Sequence, residues 1–454
     1  MSTDAVVRAR VAERLRRQAW YQRPRWRRLA ALLALAVLMT LVTGVQGTHR
    51  NLMYAMREDF TSALFLVWLG LALLVWAGRE FLTPQLVGAV AASRAVARGP
   101  VASVRGAWRD DRRVRWGVLA GAAALVVFVP SVLDRYWQTV LVDQIAIYVL
   151  VAIGLNVVIG WAGMLDLGFI AFFAIGAYSA AYWTGALPVA PPVVLNNFAV
   201  LPIAVVTCLV AGVLLGAPTL RLRGDYLAIV TLGFHEIVYL TAKNLGDVTG
   251  GTGGVKVERF ALDLGFWSYE WGVVDQLPYY YLLLVFIALV LFLFVRLEHS
   301  KVGRAWTAIR EDEVAAAATG VDTVRYKLLA FAIGASTSGV AGVAYASKVG
   351  YINSENFVIL LSVLVLAYVI FGGMGSLAGV LFGAAFLVWL PEALRTVVDP
   401  KDRYMYLGAL LVVMMIYRPQ GVIPSRRRRR ELKMAESGEV EADAMSAPAG
   451  GRLS

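Results

Sequence analysis

The sequence predicts an all-α, polytopic integral membrane protein with about twelve transmembrane helices. Three observations predict it. Apolar residues make up 59% of the 454-residue chain, with a mean hydropathy of +0.66. Uncharged runs close to the length of a bilayer core recur along it. The 43 Lys and Arg residues, against 31 Asp and Glu, gather in flanks and between runs, as membrane topology requires. A net charge of +12 distributed in this way reflects orientation and implies no nucleic-acid partner. Cys208 is alone and lies in an apolar run, and His49, His235 and His299 are scattered, so no disulfide framework, metal site or catalytic cluster is predicted.

The elements follow in order. Residues 1–28 form a basic segment with no small-residue cleavage site after the first apolar run, so the first span is expected to be retained. Leu29–Val45 and Ser62–Gly78 make an N-terminal hairpin that, with the loop Arg79–Arg115, fills residues 29–115. Arginines at 79, 94, 98, 105, 109, 112, 113 and 115 place that loop in the cytoplasm beside the N-terminus. Residues 116–424 carry ten further spans. These are Trp116–Leu133, Val140–Trp161, Leu167–Trp183, Phe198–Ala217 and Leu227–Thr241, then Tyr279–Val295, Leu328–Ala346, Phe357–Phe371, Leu377–Leu394 and Tyr404–Tyr417. Arg221 and Arg223 fall inside, and Asn244–Leu277 falls outside as an ordered segment. Its T-G-G-T-G-G at Thr249–Gly254 lacks the Lys and helix start that a phosphate cradle needs. Residues 425–454 open with five arginines, Arg426–Arg430, which read as a topology anchor touching anionic lipid, and continue as a tail too polar to build a core. Both termini are then cytoplasmic.

Between the sixth and seventh of these ten spans lies a polar island, Ser300–Gly320. Val302, Ala305, Trp306 and Ile309 recur at helical spacing among Lys301, Arg304, Arg310, Glu311, Asp312 and Glu313. Two readings stand: an amphipathic helix lying under the bilayer, or a helix that docks a soluble partner. Two glycine clusters interrupt apolar sequence, Gly160 and Gly163 with Gly168, and Gly372, Gly373 and Gly375 with Ser376 and Gly379. Broken helices in two halves of a bundle mark a transport path, and close helix packing is the competing explanation. The ionisable residues within or beside spans are Asp143, Asp166, His235 and Glu236. So few buried carboxylates argue against an ion-coupled secondary carrier, since such charge is costly and kept for function. An external energy source fits better.

Several stretches resemble LivM-type permeases. They are G-L-N-V-V-I-G-W-A-G at Gly154–Gly163, D-L-G at Asp166–Gly168 with F-F-A-I-G-A-Y at Phe172–Tyr178, and R-G-D-Y-L-A-I-V-T-L-G at Arg223–Gly233. The Thr249–Gly254 run, the island, G-G-M-G-S at Gly372–Ser376 and R-P-Q-G at Arg418–Gly421 complete the series. The resemblance covers roughly Trp137–Pro424. It implies a permease subunit of a bacterial ATP-binding-cassette importer for branched-chain amino acids in the inner membrane, with a ten-span core, no enzymatic activity and no cofactor. It implies a LivH-like second permease, two cytoplasmic ATPase subunits and a periplasmic binding protein as partners. It makes the island a coupling loop, with Ala305, Trp306 and Ile309 fitting an ATPase groove and Arg304, Arg310, Glu311, Glu313 and Gly320 around them. The expected translocation path runs past Gly160, Gly163, Asp166, Gly168, Glu236, Gly372, Gly373, Gly375 and Ser376. Phe357–Ser362 reads F-V-I-L-L-S where an acidic residue is expected before the serine, which leaves urea, short amides or other amino acids as alternative substrates.

Overall fold

A computed structural model describes residues 69, 121, 126–219, 225–263, 268–272, 275–396 and 402–425. The chain divides into two units at Ala124 and Leu125, and nearly all described residues belong to the second. The basic N-terminal segment, the first hairpin, the Arg79–Arg115 loop, Arg221, Arg223 and the Arg426–Arg430 tail lie outside the described residues. So does much of the span expected at Trp116–Leu133.

The second unit is a helical bundle: α1 (Arg135–Trp161), α2 (Ile170–Trp183), α3 (Asn197–Thr219), α4 (Asp225–Asn244), α5 (Gln276–Glu298), α6 (Lys301–Glu311), α7 (Glu313–Ala318), α8 (Thr323–Val349), α9 (Ile359–Gly372), α10 (Leu377–Ala393) and α11 (Arg403–Tyr417). Among the described residues, five helices are long and apolar enough to cross a membrane: α1, α3, α5, α8 and the run Ser354–Gly372 that contains α9. Apolar surface remains outside, at Val206, Leu214, Ile229, Val285, Phe292, Phe382 and Ile416, where a soluble protein would place charge.

α8 is the axis. Its small residues let neighbours approach to backbone contact: a Cβ on Gly334 would meet the Gly154 carbonyl of α1 at 3.0 Å. One on Gly339 would meet Cys208 Sγ of α3 at 2.7 Å, and one on Gly342 would meet the Ala177 amide of α2 at 2.7 Å. In lipid, where apolar burial brings no net gain between helices, such close packing is what holds a bundle together.

α2 starts three residues later than the span expected at Leu167–Trp183, whereas α9 keeps the span expected at Phe357–Phe371 to within two residues, inside the membrane-length run Ser354–Gly372. With 14 residues, α2 rises about 21 Å against a hydrocarbon core of about 30 Å. The cause is local. The irregular stretch before α2 is tied to α4 by one hydrogen bond, described below. Phe357 belongs to a separate 3-10 turn, Ser354–Phe357, closed by a reciprocal cap between Asn353 and Asn356. α2 and α9 meet where Ile170 N–H donates to Ser362 Oγ at 3.4 Å.

The segment expected to be ordered between α4 and α5 has regular structure among its described residues. A two-stranded hairpin, β1 (Ala261–Asp263) and β2 (Ser268–Glu270), pairs Leu262 with Tyr269. The glycine run before it is laid on the α8–α9 connection, with Val255 N–H to Ile352 O at 2.8 Å and Ile352 N–H to Val255 O at 3.0 Å.

Candidate functional site

Three of the predicted glycines come together, and the polar island joins them. α1 loosens from α-helical to π-helical winding over Asn156–Trp161, which brings Asn156 and Gly160 to the Gly372–Ser376 turn. There the Gly375 amide donates to Asn156 Oδ1 at 2.8 Å, across 219 positions of sequence. A Cβ on Gly160 would overlap Asn156 Oδ1 and lie 2.5 Å from the Gly375 amide. Gly375 has φ +81°, and its Cβ would lie 2.9 Å from the Gly160 carbonyl and from Arg310 Nη1. Arg310 Nη1 donates to that same Gly160 carbonyl. Gly163, with φ +73°, leaves space that a Cβ would take from the Arg310 side chain, 2.7 Å from Cγ. Glycine is needed here because two turns and an arginine occupy one volume, and two of the three positions have left-handed backbone.

The Gly372–Ser376 turn is itself closed from behind. Gly372 packs on the Gly379 carbonyl. The chain after α11 returns so that Val422 N–H reaches Phe371 O at 2.9 Å and Ile423 N–H reaches Gly372 O at 3.0 Å. Gly373 takes φ +118°, where a Cβ would sit 2.6 Å from Ile423 O. Ser376 starts α10, its Oγ accepting from the Gly379 amide at 3.1 Å.

The island folds as two helices. Ser300 Oγ caps α6, accepting from Val302 N at 3.1 Å and Gly303 N at 3.3 Å, and Asp312 Oδ1 caps α7, accepting from Val314 N at 2.9 Å and Ala315 N at 3.0 Å. Gly320, at φ +88°, ends α7 in a Schellman-type turn with Val321 N–H to Ala316 O at 3.1 Å. The predicted apolar stripe is real, but it is covered by this chain. Trp306 is 0% exposed, stacks on Trp161 with ring centroids 6.1 Å apart and donates from Nε1 to Tyr326 O at 2.6 Å, while Ala305 and Ile309 are also buried. This differs from the expectation that Ala305, Trp306 and Ile309 enter an ATPase groove, because the stripe is the side on which the island seats on α1 and α8. Lys301, Arg304, Glu311, Val314 and Ala315 face outward. Glu313 pairs with Lys327 of α8 at 2.6 Å.

Asp166 and Gly168 form a neighbouring contact. Asp166 Oδ1 accepts from the Gly168 amide at 2.8 Å, the Leu167 amide donates to Thr231 Oγ1 of α4 at 3.1 Å, and Gly168 lies on the Thr231 carbonyl. His235 is buried one turn further along α4. Glu236 is half-buried and makes no ion pair among the described residues.

Asn156, Thr231 and Lys348 are the polar residues that sequence reasoning passed over. An Asn inside a long apolar run was the available signal, since a buried amide in a membrane span needs a partner. Lys348, 1% exposed, pairs with Asp143 at 3.6 Å near the far end of α8 and stands over the Tyr279 ring at 4.8 Å. Among the described residues no cluster of His, Cys, Asp and Glu could hold a metal ion.

Residues 139–416 match the family described as the branched-chain amino acid transport system permease component. The high-affinity branched-chain amino acid transport system permease protein LivM of Salmonella typhimurium is 40% identical over 313 residues, 64% of this chain and 71% of that protein. The protein of the same name from Escherichia coli K12 is 40% identical over 309 residues, covering 63% and 70%. The E. coli K12 permease protein LivH is 33% identical over 139 residues, 30% of this chain and 43% of that one. No solved structure matches the chain.

Proposed function

The chain belongs to the family of branched-chain amino acid transport system permease components, and we propose that it translocates leucine, isoleucine and valine across a bacterial inner membrane as one subunit of an ATP-driven importer. The observation that supports the coupled mechanism is Arg310. It leaves the surface helix α6 and binds Gly160 between the two glycine clusters, so a push on the island reaches the helix ends of α1, α9 and α10 directly.

In this reading a second, LivH-like permease completes the pathway, two cytoplasmic ATPase subunits hydrolyse ATP, and a periplasmic protein delivers substrate. The island docks an ATPase by its outward face, Lys301, Arg304, Glu311, Val314 and Ala315, while Trp306 and Ile309 hold it to the bundle. Gly160, Gly163, Asp166, Gly168, Gly372, Gly373, Gly375 and Ser376 form the joint that opens and closes the cytoplasmic end of the path, with Glu236 farther along α4. Both termini and the island are cytoplasmic, and the Thr249–Gly254 run is external.

The experiment is ATP-driven uptake in proteoliposomes holding all four kinds of subunit, with labelled leucine, isoleucine, valine and urea. Uptake of the three amino acids is expected; uptake of urea alone overturns the substrate assignment. Orientation is read by Thr252→Cys in a Cys208→Ala background, which an impermeant thiol reagent should label only from the external side.

A further inference from the structure

Toward the far end of α1 the bundle is hollow. A cavity of about 390 Å³ lies among α1, α8, α9, α10 and α11, within the range of a small-molecule site. Its wall is divided by chemistry. Leu361 and Leu364 of α9 with Leu387 of α10 form an aliphatic side; Asp143, Gln144, Tyr148, Tyr345, Tyr368 and Tyr404 supply polar groups, as does Glu392, whose carboxylate already accepts from the Tyr136 hydroxyl. α1 is π-wound over Leu141–Ala146, the segment that carries Asp143, and such turns recur at functional sites.

The polar groups have capacity to spare. The Asp143–Lys348 pair is 3.6 Å apart, longer than a charge-assisted hydrogen bond, and buried Asp143 Oδ1 has no hydrogen-bond donor. The Asp143 side chain as a whole is 32% exposed, so a further donor in the cavity can reach the carboxylate. The Tyr148 and Tyr368 rings lie 6.4 Å apart on the same wall; hydroxyls here can donate to an anionic group, and ring faces attract an ammonium.

We propose that this cavity binds a free aliphatic α-amino acid, its ammonium on Asp143, its carboxylate on the hydroxyls of Tyr148 and Tyr368, and its side chain against Leu361, Leu364 and Leu387. The assignment rests on the importer reading for its ligand class, and it places a substrate stop inside this subunit. The amino headgroup of a lipid shares the ammonium chemistry, so the test separates the two sources.

The reporter is Leu364→Cys in a Cys208→Ala chain, within the complete importer in phosphatidylcholine nanodiscs, alkylated by a small methanethiosulfonate. L-leucine should slow alkylation at least tenfold, 3-methylbutylamine less, and 4-methylpentanoate, which lacks the amine, not at all. Asp143→Asn should abolish protection. So should Leu361→Trp, which fills the cavity without touching the ion pair. Absence of protection by leucine, equal protection by 4-methylpentanoate, or undiminished protection in both variants overturns the site. Slowing by phosphatidylethanolamine discs with no added solute gives the cavity to lipid and overturns it too. Leucine uptake without protection removes the site and leaves the importer standing, whereas protection without uptake keeps the site and removes the importer.

Discussion

The two ends of α1 are built in opposite ways. At Gly160 the helix is sealed: two turns and the Arg310 side chain share a volume with no room for a methyl group. At Asp143, 17 residues earlier and so about 25 Å away along the axis, the same helix borders a cavity lined by tyrosines and leucines. Both ends loosen into π-helical winding, over Leu141–Ala146 and Asn156–Trp161. The winding therefore does not decide which end is open. What differs is the neighbours. Glycines let backbones touch at one end, while the large side chains of α8, α9, α10 and α11 hold them apart at the other.

The sharpest way to break this contrast is to put bulk into the sealed end. Gly160→Val meets Asn156 Oδ1 and the Gly375 amide at once, and neither can withdraw without unseating a turn. We expect uptake to fall at least a hundredfold, a loss of about 3 kcal/mol in coupling or assembly. Uptake within twofold of wild type would show that the joint is loose.

Trp306→Ala should come next. It removes a buried indole that stacks on Trp161 and donates to the Tyr326 carbonyl, at a cost of about 3–5 kcal/mol. The thermal midpoint of the purified complex should drop by several degrees, with the island detaching from the bundle first. If Trp306→Ala instead leaves the midpoint unchanged and releases the ATPase, the stripe faces the partner after all.

Asn156→Leu is expected to be milder. It removes one buried hydrogen bond and strands the Gly375 amide, about 1–3 kcal/mol, so ATP hydrolysis without substrate should rise as the sealed end leaks. Unaltered basal hydrolysis would assign closure to Arg310 alone.

The smallest effect belongs to the surface of the hollow end. Lys243 and Glu355 pair at 3.1 Å with side chains 38% and 52% exposed, and solvent screening limits such a pair to about 0–1 kcal/mol. Glu355→Gln should leave stability and uptake within error. A marked loss of substrate stimulation without loss of stability would make this pair part of the binding-protein dock.

Apolar runs fixed the helices, since a membrane leaves a long uncharged stretch few other conformations. From Asn197 to Tyr417 most boundaries expected from sequence fall within a few residues of the observed ones. The amphipathic island and the interruption of apolar runs by two glycine clusters were legible for the same reason: each rests on residues near one another in the chain. That α2 is short was not, because an apolar run measures what a membrane tolerates rather than where a hydrogen bond to Thr231 ties the backbone outside a helix.

The meeting of Gly160 with Gly375 and Arg310 is a matter of tertiary structure alone. Asn156 and Gly375 are 219 positions apart and Arg310 lies 150 from Gly160, and no periodicity links them. The stripe of Ala305, Trp306 and Ile309 states which residues share a face. Which surface that face meets depends on where α5 and α8 place the island, and here they turn it inward. The pairing of Asp143 with Lys348 follows the same rule: sequence marks a costly charge in a membrane, and only packing supplies its partner and the cavity beside it.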